Sequence, residues 1–166
     1  MSKTSAAITP PAAGEGKRGT EGHLGYLLRQ AGNAHRAHVE QALADLQVTL
    51  PQFAVLTMLH AYPGHSNADL ARLALLTPQT LSVIVANLEK NGMVSRHAHA
   101  VHGRIQQLSL TREGGELLAR AKVRVSAVEQ TLTADLSHDE EQAIRRWLVR
   151  VATLRSLKPG HRDGSA

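Results

Sequence analysis

The chain has 166 residues, a formal net charge of +5 and no cysteine. That sizes it as one domain with extensions and excludes disulfides, thiolate metal sites and thiol redox chemistry. Hydrophobic residues make up 42% of it, yet only Tyr26, Phe53, Tyr62 and Trp147 are aromatic, so the interior must be built from Leu, Val and Ala, which suits helix-on-helix packing. Residues 1–20, rich in Ala, Gly, Pro, Ser and Thr without periodicity, read as a disordered tail, as do residues 158–166. From Glu21 to Asp45, Leu24, Leu27, Leu28, Ala31, His35, Val39, Ala42, Leu43 and Leu46 recur at steps of three and four, which predicts a first helix. Thr49 then caps a second over about 50–61, with Pro51 in its first turn and Gln52 at the capping-box position. This helix buries Phe53, Leu56 and Leu59 and stops at Pro63-Gly64.

Ser66, with Asp69 three residues on, starts a short third helix in "NADLARLALL". Thr77-Pro78 restarts the chain as a fourth over 78–91, with a buried stripe of Leu81, Ile84, Val85 and Leu88 and a stop at Asn91-Gly92. The short turn between these last two makes a helix-turn-helix. In "MVSRHAHAVHGRIQQLSLT" the period changes, and two strands joined by a loop around 98–103 are expected, a wing beside the helices. Thr111 caps a long helix over 112–136 with Leu118, Ala121, Val125, Val128 and Leu132 near a heptad spacing. Ser137 and Glu140 form a capping box for a last helix over 138–157, which carries Ile144, Trp147, Leu148, Val151 and Leu154. The stripes of the first and last two helices exceed what a small winged domain can cover, so they need one another or a second copy. A homodimer is the expectation.

The outward face of the 78–91 helix holds Gln79, Val83, Ala86 and Lys90, flanked by Ser82 and Asn87. A solvated face would carry more Glu and Lys; amides, a hydroxyl and small apolar groups suit base edges. Gln79 and Asn87 can pair with adenine, Thr80 or Ser82 can bond bases or phosphate, and Val83 and Ala86 can meet thymine methyls. The free N–H groups after Thr77 favour phosphate. Between Leu70 and Arg112 the cations Arg72, Lys90, Arg96, Arg104 and Arg112 face a lone Glu89, with His97, His99 and His102 among them. Such an excess is the footprint of a phosphate-binding surface. The competing account is an ordinary surface helix and a hairpin whose charges keep it in solution.

Three stretches, "VTLPQFAVLTML", "NADLARLALLTPQTLSVIVANLEKNGMVSR" and "LSLTREGGELL", resemble the MarR family of bacterial winged-helix regulators, in a match running from about Leu24 to Leu154. The resemblance implies a mainly α winged helix-turn-helix with a two-stranded wing and N- and C-terminal dimerisation helices. On that reading 21–157 is one domain, with 21–48 and 112–157 dimerising and 50–110 the DNA-binding lobe. Each subunit of a homodimer would place its 78–91 helix in a major groove of a pseudo-palindromic operator in double-stranded DNA. The implied function is a repressor released by a small aromatic or anionic effector. The DNA-binding set is then Thr77, Gln79, Thr80, Ser82, Val83, Ala86, Asn87, Lys90, Arg96, His102 and Arg104. Arg96 has a second reading, a local ion pair that holds the hairpin. One departure is His102, where the family usually has an acidic residue that orients the wing arginine, here Arg104.

His35, His38 and Tyr62 are candidates for lining an effector pocket. A zinc site without cysteine needs three or four converging ligands, usually with a carboxylate; the histidine spacing does not indicate one, and no metal or cofactor is assigned. No catalytic residue is assigned either, since the chain lacks a glycine-rich phosphate loop, HExxH and a nucleophile–base pair. Wing histidines charging below a pKa of ~6.5 would strengthen DNA binding in mild acid. No run of ~18 apolar residues and no leader pattern appear, so a cytoplasmic protein without a membrane partner is expected. The alternative function is a dimeric winged-helix adaptor that has lost DNA reading through its altered wing.

Overall fold

A computed structural model describes residues 9–98 and 106–154. Eight elements follow in order: α1 Leu24–Leu43, α2 Leu50–Ala61, α3 Asn67–Leu73, α4 Pro78–Lys90, β1 Val94–Ala98, β2 Gln106–Leu110, α5 Arg112–Thr133 and α6 His138–Ala152. They fall into two units, one up to Val128 and one from Glu129, the division lying within α5.

The helix starts follow the side chains that the sequence offers as caps. Thr49 Oγ1 accepts from the Gln52 N–H at 3.3 Å, while Gln52 Oε1 accepts from the Thr49 N–H at 2.9 Å, a complete capping box. Ser137 and Glu140 close a second one for α6. Ser66 Oγ accepts from the Asp69 N–H at 3.2 Å and donates to its carboxylate at 2.6 Å.

The ends depart further from expectation. The third helix, expected to run through Leu76, stops at Leu73 because Leu75 turns left-handed at φ 56°. The first begins at Leu24 and tightens into a 3-10 turn over Ala44–Leu46 that ends in a left-handed Gln47 at φ 54°. The fifth ends at Thr133 and the last at Ala152, while residues 155–157 lie outside the described ones. Part of the stretch expected to be a structureless tail is also ordered onto α1. A 3-10 turn at Gly16–Arg18 is held there because Arg18 donates to the Gln30 side chain at 3.2 Å while Gln30 returns a bond to the Arg18 carbonyl at 3.0 Å.

In the first unit, α2, α3, α4, both strands and the start of α5 surround a core in which Val55, Leu56, Leu70, Leu81, Val85 and Leu118 are fully or almost fully buried. A second cluster, with Val39, Leu43 and Ala121 at its centre, joins α1 to α5, and the Arg124–Asp45 ion pair at 2.6 Å adds a polar tie at the rim. No polar or charged residue is buried among the described residues, so apolar burial at about 25 cal/mol per Å² is the main force holding the unit together. In the second unit, α6 buries none of its residues. Ile144, Leu148 and Val149 stand 42–63% exposed along it, and Leu154, just past its end, is 74% exposed.

The wing strands pair antiparallel in the register Val94↔Leu110, Arg96↔Leu108 and Ala98↔Gln106. Arg104 and His102 lie outside the described residues, as do His99, Gly103 and Ile105. At the strand's other end, α5 is seated on the junction between α4 and β1. Thr111 Oγ1 donates to the Gly92 carbonyl at 2.6 Å and accepts from the Gly114 N–H at 3.0 Å. Gly114 is required here, because a Cβ on it would fall 1.9 Å from the Met93 carbonyl oxygen.

Candidate nucleic-acid interface

Helix α4 presents the face that its periodicity predicts. Leu81, Val85 and Leu88 are buried and Ile84 is half-buried, whereas Gln79, Thr80, Ser82, Val83, Ala86, Asn87 and Lys90 are exposed. Thr77 Oγ1 caps the helix by accepting from the Thr80 N–H at 3.1 Å, and the two threonine hydroxyls lie 2.9 Å apart. Ser82 donates its hydroxyl to the Pro78 carbonyl at 2.9 Å. These hydroxyls are committed locally but keep lone pairs for a donor on a base.

At 100° per residue, Gln79, Val83, Ala86 and Lys90 form the centre of the outward strip. Neither Gln79 nor Lys90 makes a side-chain hydrogen bond or ion pair among the described residues. Asn87, on one flank, differs. Its Oδ1 accepts from Gln52 Nε2 at 3.0 Å and from Asn91 Nδ2 at 3.2 Å. A paired adenine contact needs that oxygen free to accept from the base, so in this arrangement Asn87 offers DNA only its amide N–H. Gln52 thus has two tasks: it completes the cap of α2 and reaches across to α4.

Next to this bridge lies a cleft of about 440 Å³ lined by Arg36 and Glu40 of α1, Thr49, Pro51 and Gln52 at the start of α2, and Thr80, Val83, Ile84 and Asn87 of α4. Sequence reasoning missed it, because a capping Gln and an i,i+4 Arg–Glu pair, here 2.9 Å apart, have complete local explanations. His35, His38 and Tyr62 do not line it. His35 is half-buried and His38 exposed on α1, and Tyr62 follows α2 with its ring edge-on to His65 at 5.7 Å.

The charges are less lopsided than their count in sequence. Arg96 grips Glu89 with two hydrogen bonds, Nε to Oε1 at 3.0 Å and Nη2 to Oε2 at 2.9 Å, which tie β1 to the last turn of α4. Their mutual hydrogen bonds hold the Glu89 carboxyl below its ordinary value and raise Arg96 above its own. Of the two sequence readings of Arg96, the geometry is that of the strut. Arg72 pairs with Asp69 at 2.6 Å, and Arg112 lies 3.7 Å from Glu113 and 3.8 Å from Glu116. A window starting at Leu70 and ending at Arg112 leaves all three of those acids just outside. Among the described residues no three His, Asp or Glu side chains converge as a metal site would require, and no single helix is long and apolar enough to cross a membrane.

Residues 48–105 match the MarR family. The HTH-type transcriptional repressor Rv2887 of Mycobacterium tuberculosis is 38% identical over 130 residues, which cover 78% of this chain and 94% of that protein. The chain belongs to the MarR family. Solved structures share its fold. Rv2887 in complex with salicylic acid superposes with a TM-score of 0.64 at 37% identity, covering 80% of this chain and 98% of the other. The transcriptional repressor CouR bound to a 23-mer DNA duplex gives 0.72 at 30% identity, covering 78% and 92%. The mainly helical, winged architecture is therefore that of MarR-family regulators, and the α3–turn–α4 segment is its helix-turn-helix.

Proposed function

We propose that this MarR-family chain is a sequence-specific DNA-binding transcriptional regulator, a homodimeric repressor that leaves its operator when a small aromatic or anionic effector binds. The observation that carries the reading is the outward strip of α4: Gln79, Val83, Ala86 and Lys90 are exposed, and none of their side chains makes a hydrogen bond or ion pair among the described residues. A relative named as a repressor and a structural neighbour bound to duplex DNA support it. In the proposed arrangement 50–110 is the DNA-binding lobe, with α4 in the major groove, Thr77, Thr80 and Ser82 near its entry, and Arg104 with His102 on the wing against the backbone. The 21–48 and 112–157 helices dimerise, which would cover the exposed apolar face of α6. The protein acts in the cytoplasm and catalyses no reaction.

The cleft beside α4 is a second seat for an effector, besides the His35, His38 and Tyr62 set. Its Arg36 offers a guanidinium to a carboxylate, and an occupant would touch the same Gln52–Asn87 bridge that flanks the reading strip. Complexes of Rv2887 with salicylic acid and p-aminosalicylic acid support the ligand class.

Titration against duplexes from upstream of the protein's own coding region, at several salt concentrations, tests the reading. Affinity for one fragment should exceed that for a scrambled duplex, and its logarithm should fall linearly with that of salt. A stable dimer that binds no fragment at low ionic strength would leave the adaptor.

A further inference from the structure

Leu75, in the turn between α3 and α4, is 91% exposed, more than any other large hydrophobic among the described residues. Its φ of 56° is left-handed, a region in which an L side chain crowds its own backbone. The way α3 stops explains the conformation: Leu76 N–H returns to the Ala71 carbonyl at 2.8 Å and Leu75 N–H to Arg72 at 3.2 Å. This six-to-one closure places Leu75 where glycine is preferred.

Helix α4 provides an internal control. It closes with the same pattern, Met93 N–H to Leu88 at 2.9 Å and Gly92 N–H to Glu89 at 2.9 Å, and there the left-handed residue, at φ 72°, is glycine. The two ends share this hydrogen-bond pattern, and at the left-handed position one carries a leucine where the other carries a glycine. The packing role at the α3 end belongs to Leu76, which lies against the core. Leu75 therefore carries conformational strain and exposes a full apolar side chain, with no compensating core contact among the described residues. Strain retained without a structural return points to function.

We propose that Leu75 is a DNA contact, its side chain packing against deoxyribose rings at the edge of the groove that α4 enters. This rests on the regulator reading above. In a docked helix-turn-helix the first helix crosses the backbone while the N-terminal residues of the second meet the bases. The turn joining them, two residues before the Thr77 cap, is thereby carried to the groove's edge. A leucine has no hydrogen bond to give, and sugar rings are the same at every step. The contact adds affinity without sequence preference and without displacing counterions.

The test uses the full chain with Leu75→Gly, Leu75→Asn and Leu75→Met, a duplex that the wild type prefers and a scrambled duplex, each at several salt concentrations. Gly and Asn should weaken binding to both duplexes about tenfold, as partial burial of a leucine implies. The salt slope should stay unchanged and the melting temperature equal or higher, while Met restores most of the affinity. Unchanged affinity in Gly and Asn overturns the proposal, as does an altered salt slope, a loss confined to one base pair, or a lowered melting temperature in Gly. If the wild type binds neither duplex, the regulator reading falls and takes this proposal with it.

Discussion

The strip of α4 that carries Gln79, Val83, Ala86 and Lys90 and the flank that carries Asn87 are both exposed, but they do different work. The strip has no polar commitment to the fold, whereas Asn87 is bonded to Gln52 across to α2 and to Asn91 one turn on. Exposure alone therefore does not mark a residue as a reader. A side chain whose acceptor already receives two donors must break them before it can accept from a base, and the strip bears no such cost. The helix is also held at its far end, where Arg96 ties β1 to Glu89 and Gly114 lets α5 approach Met93. One strip is free because its surroundings are fixed.

Removing that fixed seat should give the largest effect. Gly114→Ala puts a methyl 1.9 Å from the Met93 carbonyl, where backbone rather than a flexible side chain must yield. The expected destabilisation is about 3 kcal/mol, a fall of roughly 6–12 °C in melting temperature for a chain of this size. A melting curve like the wild type's would show that the junction has slack and that α4 is not anchored there.

Much of this was legible in sequence because it is local. Capping boxes at Thr49 and Ser137, the Thr77 cap and the buried stripe of α4 rest on neighbours three or four residues apart, and all appear where the spacing puts them. What stayed hidden is tertiary or lacks its usual signal. The left-handed stop at Leu75 has no glycine to announce it. The reach of Gln52 to Asn87 spans 35 residues, and nothing in a capping glutamine reveals its second bond. Arg96 reads equally as phosphate ligand or strut until Glu89 is placed beside it.

Next in size is the contrast between the two amides. Gln79→Ala should cost ~1–3 kcal/mol of DNA binding and relax preference at one operator position, the signature of a paired base contact. Asn87→Ala should weaken all sequences by a similar, smaller factor, since it removes a support rather than a reader. Selection of preferred sites by each variant from a randomised duplex pool separates the cases. A single relaxed position for Asn87→Ala, and none for Gln79→Ala, would invert the comparison.

The bridge itself can be measured by a double-mutant cycle on folding with Gln52→Ala and Asn87→Ala. Gln52→Ala also removes the glutamine half of the α2 capping box, but that loss cancels in the cycle. A coupling of roughly 0.5–1 kcal/mol is expected for a neutral, solvent-accessible hydrogen bond. Strict additivity would mean that Asn87 is free to turn toward DNA after all.

The smallest effect belongs to the strut, and its sign follows from the direction of the shift. Glu89 is held below its ordinary value of 4.5, chiefly by the Arg96 hydrogen bonds, so its folded state binds a proton less readily than its unfolded one. That stabilisation is complete above the ordinary carboxyl value and is lost as pH falls through the lower, folded value. The Arg96 shift is upward; its contribution is whole at every pH below the ordinary arginine range and leaves the acid limb to Glu89. With the two side chains 27% and 38% exposed, solvent screening keeps the pair at or below ~1 kcal/mol. Glu89→Gln should therefore be slightly less stable than the wild type at neutral pH, and the gap should close in acid. Asp69 and Glu140, also held low by their capping serines, titrate alike in both proteins and drop out of the difference. A gap that persists unchanged once Glu89 is protonated would mean that the carboxamide disturbs packing, and that the charge of Arg96 remains available for phosphate.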